Sequence, residues 1–584
     1  MNRLLAGMIA CMFATCAHAR YAVELDAPRS VRKLLQENLD LMRYQDRDDL
    51  NADQLDYLLA TTEEQVRKLT STIGFFAPKT RLDVDRAGAT PRIRIGVDPG
   101  KQTRVANLDI GIKGDVVSAH PEQAAEVRTR WQEERGKPFT QEGWESAKQE
   151  GLARLQSRRY AAASITNSEA RAYPDLGEAD LQADYDSGPA FHLGGISVSG
   201  LRRYPEGIIR NVNPLEPGEE YSAGRLVELQ RQIQRLPYFS NAEVSLERDP
   251  AKAAAAPVNV RISEYPEHRV RAGFGYGTDT GAHLEGRYSY NNLFGRAWVF
   301  DSQVRIEQRR QTMAAEVSMP PSPGAWVNSA RVSAERTTLE GVDLRTRRAG
   351  LRRARSSDKR DFAYTLDYYS DQLSQESGAV LPEGTVVLPG THQAVVAGLA
   401  MTRRQVDDPR YPRRGYIASV EAGVAIKGLL TDQTFARVYG QARQYFPVGR
   451  TDAVIVRGEL GAVISSQGNA AIPASLLFRT GGTESVRGYR FQSIGNTQGG
   501  VVYPTRYVAS GGAEYQHWFT AQWGAAAFYD VGTATDQWSG KRFFHGVGAG
   551  ARWRSPVGVI NADLAYGLQE GGGIRPHLSL GIVF

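Results

Sequence analysis

Cysteine is almost missing from this 584-residue chain: Cys11 and Cys16 are the only two, and both lie close to the start. Everything beyond them is therefore without disulfides, thiol nucleophiles or cysteine-ligated metals. Long apolar runs are missing too, since no stretch after the first few residues approaches the ~20 apolar residues of a membrane helix. The nine histidines are scattered, and His517 and His545 sit in strand-like segments with no companion at ligand spacing, so no metal site is read from them. HExxH, GxSxG and Walker patterns do not occur. GVGAGA (546–551) is glycine-rich but lacks the GxGxxG spacing and a following helix, which makes it a strand. Glu484 stands near Arg487 with no nucleophile to serve. The expectation is a protein that is not an enzyme and takes no cofactor. Its charge excess is small, 71 Lys+Arg against 65 Asp+Glu, too small to make a nucleic-acid binder of an exported chain. The arginine-rich stretch LRTRRAGLRRARSSDKR (344–360) is read as lining a polar surface or a lumen.

What is present begins with an export signal. MNRLLAGMIACMFATCAHARYAV offers a positive Arg3, an apolar core from Leu4 to Cys16 and a small-x-small site at Ala17-His18-Ala19. That is a secretory signal peptide over residues 1–19, cleaved after Ala19. A lipoprotein reading of Cys16 is weaker, because Thr15 stands where a smaller residue is expected.

Two halves of different period follow. Up to about residue 265 helix and strand alternate, and a unit repeats three times at roughly 80 residues, the mark of an array of small domains. Its clearest part is a helix running into an aromatic turn and then a strand: EEQVRKLTSTIGFFAPKTRLDVDR, GLARLQSRRYAAASITNSEARAY and LQRQIQRLPYFSNAEVSLERD. The helices carry apolar stripes, among them Leu58, Val66 and Leu69, then Trp144, Ala147 and Leu155, then Leu226, Leu229 and Ile233. Asn51, Thr140 and Ser222 are the expected N-caps. Strands at 104–114 and 191–201 open the second and third units, and strands at 91–97, 179–185 and 258–264 close units. This β-α-α-β-β order resembles the POTRA domain, with boundaries at 20–101, 102–186 and 187–265. Such strand edges suit β-augmentation by extended peptides.

From residue 266 to 584 the period becomes two. HRVRAGFGYGTD (268–279) places Val270, Ala272, Phe274 and Tyr276 on one face and Arg269, Arg271, Gly273 and Gly275 on the other. PHLSLGIVF places Leu578, Leu580, Ile582 and Phe584 opposite His577, Ser579 and Gly581. Short alternating segments divided by turns such as PPSPG (320–324) are the signature of a transmembrane antiparallel β-barrel, and at roughly 20 residues per strand and connection the segment holds about 16 strands. A soluble β-sandwich array is the alternative, disfavoured for an exported, cysteine-poor chain with this many strands.

One stretch stands out against this pattern. RTGGTESVRGYR (479–490) displays Arg487 from a glycine-rich loop. In YVASGGAEYQHWF (507–519) alternation puts Glu514 with Ser510, Gly512 and Gln516. In WGAAAFYDVG (523–532) it puts Asp530 with Gly524, Ala526, Phe528 and Gly532. The opposite faces are the greasier, so both carboxylates point into the lumen. An inward acid pair needs a cation, and a loop folded inside can bring Arg487 as a forked donor.

VRGYR, FYDVG, DDPRYPRRGY (407–416) and GVGAGARWRSPVGVINADLAYGL…HLSLGIVF together resemble the BamA/TamA superfamily of outer-membrane insertases and secretion pores. With three repeats, the opening RAGFGYGTDTG and the strings FRTGGTESVRGYR and RWRSPVG, the chain is most similar to the TamA branch. The resemblance implies that Val486, Arg487, Gly488 and Tyr489 form the tip of the sixth extracellular loop. It implies that Glu514 and Asp530, from strands 13 and 14, hold this tip, that Phe528 and Gly532 belong to the strand-14 motif, and that Gly581 and Phe584 belong to a terminal assembly signal. It further implies residence in the outer membrane of a Gram-negative cell with the POTRA domains in the periplasm. The function expected by resemblance is assembly of outer-membrane proteins, autotransporters in particular, with a TamB-like inner-membrane-anchored partner and outer-membrane lipids around the barrel. Gly273, Gly275 and Gly277 weaken the first strand, which we expect to form a laterally opening seam with the last strand. The alternatives are a two-partner-type secretion pore threading one dedicated client, and a passive porin. The third POTRA copy argues against the former, and the POTRA array against the latter.

Overall fold

The computed structural model describes residues 21–45, 47, 50–87, 90–339, 341–375, 390–428, 430–498, 500–539, 541–555 and 558–583. The expected signal peptide and Phe584 thus lie outside the described residues. So do the side chains of the last few residues before Phe584.

Three modules precede the barrel and share one plan: a strand, helices, then two strands, with the first strand beside the third and the third beside the second. In the first module Ala22–Asp26 runs parallel to Arg92–Asp98, which pairs antiparallel with Lys79–Asp85. That opening strand escaped the sequence reading because it follows directly on the signal segment. In the second module Arg104–Lys113 lies parallel to Glu178–Asp186, itself antiparallel to Ser164–Tyr173. The third uses Leu193–Ser199, Phe239–Leu246 and Ala256–Glu264. Two of the expected caps, Asn51 and Thr140, hold the heads of their helices. Asn51 accepts from Gln54 N at 2.8 Å while Gln54 Oε1 accepts from Asn51 N at 2.9 Å, a reciprocal box at the head of Ala52–Ser71. Thr140 Oγ1 accepts from Gly143 N at 2.9 Å at the head of Gln141–Gln156. Helix Ala223–Gln234 begins just after Ser222. The apolar stripes turn inward: Leu58 and Val66 join the first core, and Trp144, Ala147 and Leu155 the second.

Beyond residue 267, sixteen strands from His268–Gly277 to Ile574–Val583 pair in chain order into a closed barrel. Alternation sorts the side chains. Val270, Phe274 and Tyr276 are exposed on the outside, as are Leu284, Met313, Leu351 and Leu460. The interior holds the barrel's core, because residues 465–506, between the eleventh strand (Asp452–Ile464) and the twelfth (Tyr507–Trp518), carry an apolar cluster. There Ile472, Phe478, Val486, Tyr489 and Tyr503 pack against wall residues such as Val342, Leu344, Phe435 and Val463. The arginine-rich stretch becomes strand Val342–Ser356, and it serves both faces rather than one. Arg348 turns inward to Asp367 at 2.7 Å, while Arg345, Arg347, Arg353 and Arg355 are exposed.

The first and last strands close the cylinder over five described residue pairs, Gly273↔Val583 through Gly277↔Ser579. The first and second strands pair over ten, from His268↔Tyr290 to Gly277↔Gly281. Gly275 stands opposite Gly581, so that position lacks the side-chain pair which elsewhere adds ~0.2–1 kcal/mol.

Candidate functional site

The loop tip is built as a tight turn. Gly482 N donates to Val486 O at 3.1 Å, and Gly481 N donates to Ser485 Oγ at 2.8 Å, so Val486 and Arg487 project from one end. Val486 is fully buried, and Gly532 makes its room: a Cβ on Gly532 would lie 2.6 Å from Val486 Cγ2. Gly488 adopts φ 93°, and a Cβ there would fall 2.4 Å from Gly567 N, so glycine alone meets both the backbone angle and the close approach. Tyr489 donates to Gln569 Oε1 and accepts from Gln569 N, each at 2.9 Å, with its ring edge-on to Phe544.

Arg487 lies buried at the centre. Its Nε donates to Asp530 Oδ2 at 2.7 Å and its Nη2 to Asp530 Oδ1 at 3.2 Å, a forked contact on both carboxylate oxygens. Its Nη1 donates to Glu514 Oε2 at 2.8 Å and to Asp563 Oδ2 at 2.9 Å. The guanidinium carbon lies 3.3 Å from the centre of the Phe528 ring, so the aromatic of FYDVG supplies a cation–π floor. Counted along the barrel, Glu514 belongs to the twelfth strand, and Phe528, Asp530 and Gly532 to the thirteenth (Trp523–Thr535). That is one strand earlier than the resemblance implied. The hairpin Asn496–Gln498 with Val501–Tyr503 pairs only with itself inside the loop and adds nothing to the wall.

The acids do not depend on Arg487 alone. Arg552, fully buried, donates from Nε to Glu514 Oε1 at 3.0 Å and from Nη1 to Asp563 Oδ1 at 2.5 Å. Arg457 donates from Nη2 to Asp530 Oδ1 at 2.9 Å and to the loop carbonyl of Ser485 at 2.8 Å. Three arginines thus interleave with three carboxylates, and this cluster is charge-balanced. The sequence reading passed over Asp563, Arg552 and Arg457. Their signal was available, since alternation in GVINADLAYG sets Asp563 on one face with Asn561 and Ala565.

The loop also touches both sides of the seam. Gly488 N donates to His577 Nε2 at 2.9 Å, which fixes the proton on Nδ1, facing Thr483 Oγ1 at 3.1 Å. Thr483 Oγ1 in turn donates to Asp279 Oδ1 at 3.1 Å, and Thr483 N to Asp279 Oδ2 at 3.1 Å. Asp279 follows the first strand and His577 lies on the last. At the opposite mouth DDPRYPRRGY forms a turn in which Asp407 Oδ1 accepts from the backbone of Arg413 at 3.0 Å and Arg414 at 3.1 Å. Tyr411 donates across to Ser555 O at 2.6 Å.

A closed sixteen-strand barrel with an inward-folded, arginine-pinned loop, preceded by small α/β modules, defines an outer-membrane barrel of a known type. The chain matches the Omp85 superfamily domain over residues 292–582, and the POTRA family, described as a surface antigen variable number repeat, over 191–265. It is similar to the outer membrane protein assembly factor BamA of Neorickettsia risticii, 25% identical over 431 residues, covering 69% of this chain and 56% of that protein. It is also similar to BamA of Nitratidesulfovibrio vulgaris, 22% identical over 396 residues, covering 65% of this chain and 49% of that one. The chain spans about half the length of the curated relatives it matches. The crystal structure of BamA from Haemophilus ducreyi lacking POTRA domains 1–3 shares the fold, with a TM-score of 0.58 at 14% identity, covering 82% of this chain and all of that one. The chain belongs to the Omp85 superfamily: its barrel resides in the outer membrane, with the POTRA modules in the periplasm.

Proposed function

We propose that this protein assembles other outer-membrane proteins through its barrel seam, in the manner expected of the TamA branch, with autotransporters among its clients and a TamB-like partner at its periplasmic modules. The observation that carries this reading is the seam itself. Five described residue pairs join the first and last strands, and glycine faces glycine within them. A seam that parts there exposes strand edge, a template for another strand. A client hairpin adding there would satisfy backbone groups that lipid cannot, and burial of its apolar side chains would supply the driving force without a nucleotide. The inward loop supports the same reading over a threading pore or a passive porin, because its apolar cluster fills space that a threaded chain or a solute would need.

A disulfide decides it. Gly275→Cys with Gly581→Cys places thiols directly across the seam, and apart from Cys11 and Cys16 the chain offers no competing thiol. The oxidised double variant is expected to stay folded and lose client assembly, and reduction should restore it. Full assembly by the locked form would refute lateral opening. Photocrosslinking from the first module tests the partner. Capture of an inner-membrane-anchored protein supports the TamA-like reading, and capture of a single large secreted client would replace it with a secretion pore.

A further inference from the structure

A strand in a lipid-facing wall is expected to present apolar side chains outward, and Val342–Ser356 departs from this. Its outward positions read Arg345, Arg347, Ala349, Leu351, Arg353 and Arg355, all exposed. Arginine is costly at the middle of the bilayer and tolerated near its edges. Arg347 and Arg353 stand ~20 Å apart along the strand at ~3.3 Å per residue, so side chains extending away from the centre bring their guanidinia to the headgroup levels of opposite leaflets. The pair Arg353 and Arg355 lies toward the periplasmic turn 357–359.

That lower pair sits in a built surface. Arg353 is flanked across the sheet by Asn328 and Tyr364, and Arg355 by Trp326 and Phe362. Trp326 stacks on Tyr364 at 6.1 Å, and the Arg353 guanidinium lies 5.3 Å from the Trp326 ring. The nearest turn carboxylate, Asp358, is already taken by Arg231 at 3.1 Å and by Arg235. Among the described residues no carboxylate pairs with Arg353 or Arg355, the turn adds Lys359, and Arg360 opens the next strand. Toward mid-membrane a groove of 430 Å³ opens beside Arg353, walled by Val317, Ala330, Leu351 and Leu366. The same four residues border a second groove of 610 Å³ that reaches Val332 and Tyr368.

We propose that this face binds a phospholipid of the periplasmic leaflet with a net-negative headgroup, its phosphate on Arg353 and Arg355 and an acyl chain along the joined grooves. Two guanidinia free of acids favour an anion, and among the described residues the adjacent turn's carboxylate, Asp358, is already paired and so does not receive the ammonium of a zwitterionic headgroup. Aromatic side chains at this level suit the interface between headgroup and chain.

Native mass spectrometry of the full-length protein in detergent, titrated with phosphatidylglycerol or phosphatidylcholine, tests this. The wild type is expected to retain phosphatidylglycerol in roughly ten- to thirtyfold preference, from two arginines near the headgroup. Arg353→Gln with Arg355→Gln should abolish the preference, and Arg345→Gln with Arg347→Gln should leave it intact, both with unchanged migration of the unheated barrel on a gel. Equal retention of the two lipids by the wild type overturns the proposal without recourse to any variant. So does a preference that survives in the first variant, or one lost in the second, which would place the anion in the other leaflet.

Discussion

Arg487 holds three carboxylates, and each of them keeps another cation when it is gone. Removing one partner of a buried pair costs about 3–5 kcal/mol where nothing replaces it. Here Arg552 stays on Glu514 and Asp563, and Arg457 stays on Asp530, so Arg487→Ala is expected to cost on the order of 1–3 kcal/mol, the toll of imperfectly satisfied groups. The strand ladder survives that loss and the loop tip does not. Protease should cut within 479–506 in membrane-embedded variant and spare the wild type. Arg487→Lys should protect only in part, because an ammonium cannot reproduce the forked contact with Asp530. Adding Arg552→Ala to Arg487→Ala should cost more than the sum of the two singles, since Glu514 and Asp563 then lose both cations; simple additivity would mean that the charges act separately. Arg487, Glu514 and Asp530 were legible in the sequence because a loop motif and two alternating strands each marked them. Asp563 and Arg552 obey the same alternation, but alternation reports a face and not which inward charges meet across a lumen.

At the scale of elements, the loop acts as a strap over the seam. Thr483 reaches Asp279 beyond the first strand, while Gly488 and Thr483 reach His577 on the last. These contacts span a junction with five described residue pairs of its own, so losing them should let the seam open more often. Asp279→Ala is expected to raise, by a few fold, the rate at which a membrane-permeant maleimide modifies Gly581→Cys in folded barrels. An unchanged rate would mean that the strap is structural padding. Helix ends offer a milder test. Asn51→Ala breaks the reciprocal cap and should cost about 1 kcal/mol, read as an earlier urea midpoint of the helical signal, with no effect on barrel migration. Caps, stripes and strand alternation were all readable because each is a local pattern of period 3.6 or 2. The strap was not, since Asp279 and Thr483 lie about 200 residues apart in sequence, and no local period links them.

For the molecule as a whole, a count of about sixteen strands followed from segment length, and three modules from their repeat. The register at the closure did not, because it depends on how the cylinder shears rather than on any one strand. The two parts also rest on different physics. The first module encloses its own core around Leu35, Val66 and Ile95, and the second around Trp131, Leu155 and Tyr185. Domains of this size are stabilised by only ~0.05–0.15 kcal/mol per residue. The barrel instead satisfies its backbone strand to strand around a closed ring, which detergent does not compete for. Among the described residues every α-helix lies before residue 235, so circular dichroism at 222 nm reports the modules. The gel migration of unheated samples reports the barrel. In a urea series the 222 nm signal should therefore collapse first, while the unheated band keeps its anomalous position until higher denaturant or boiling. Loss of both at one urea concentration would show that the modules and the barrel stand or fall together, and the independent cores would then carry less of the stability than their packing implies.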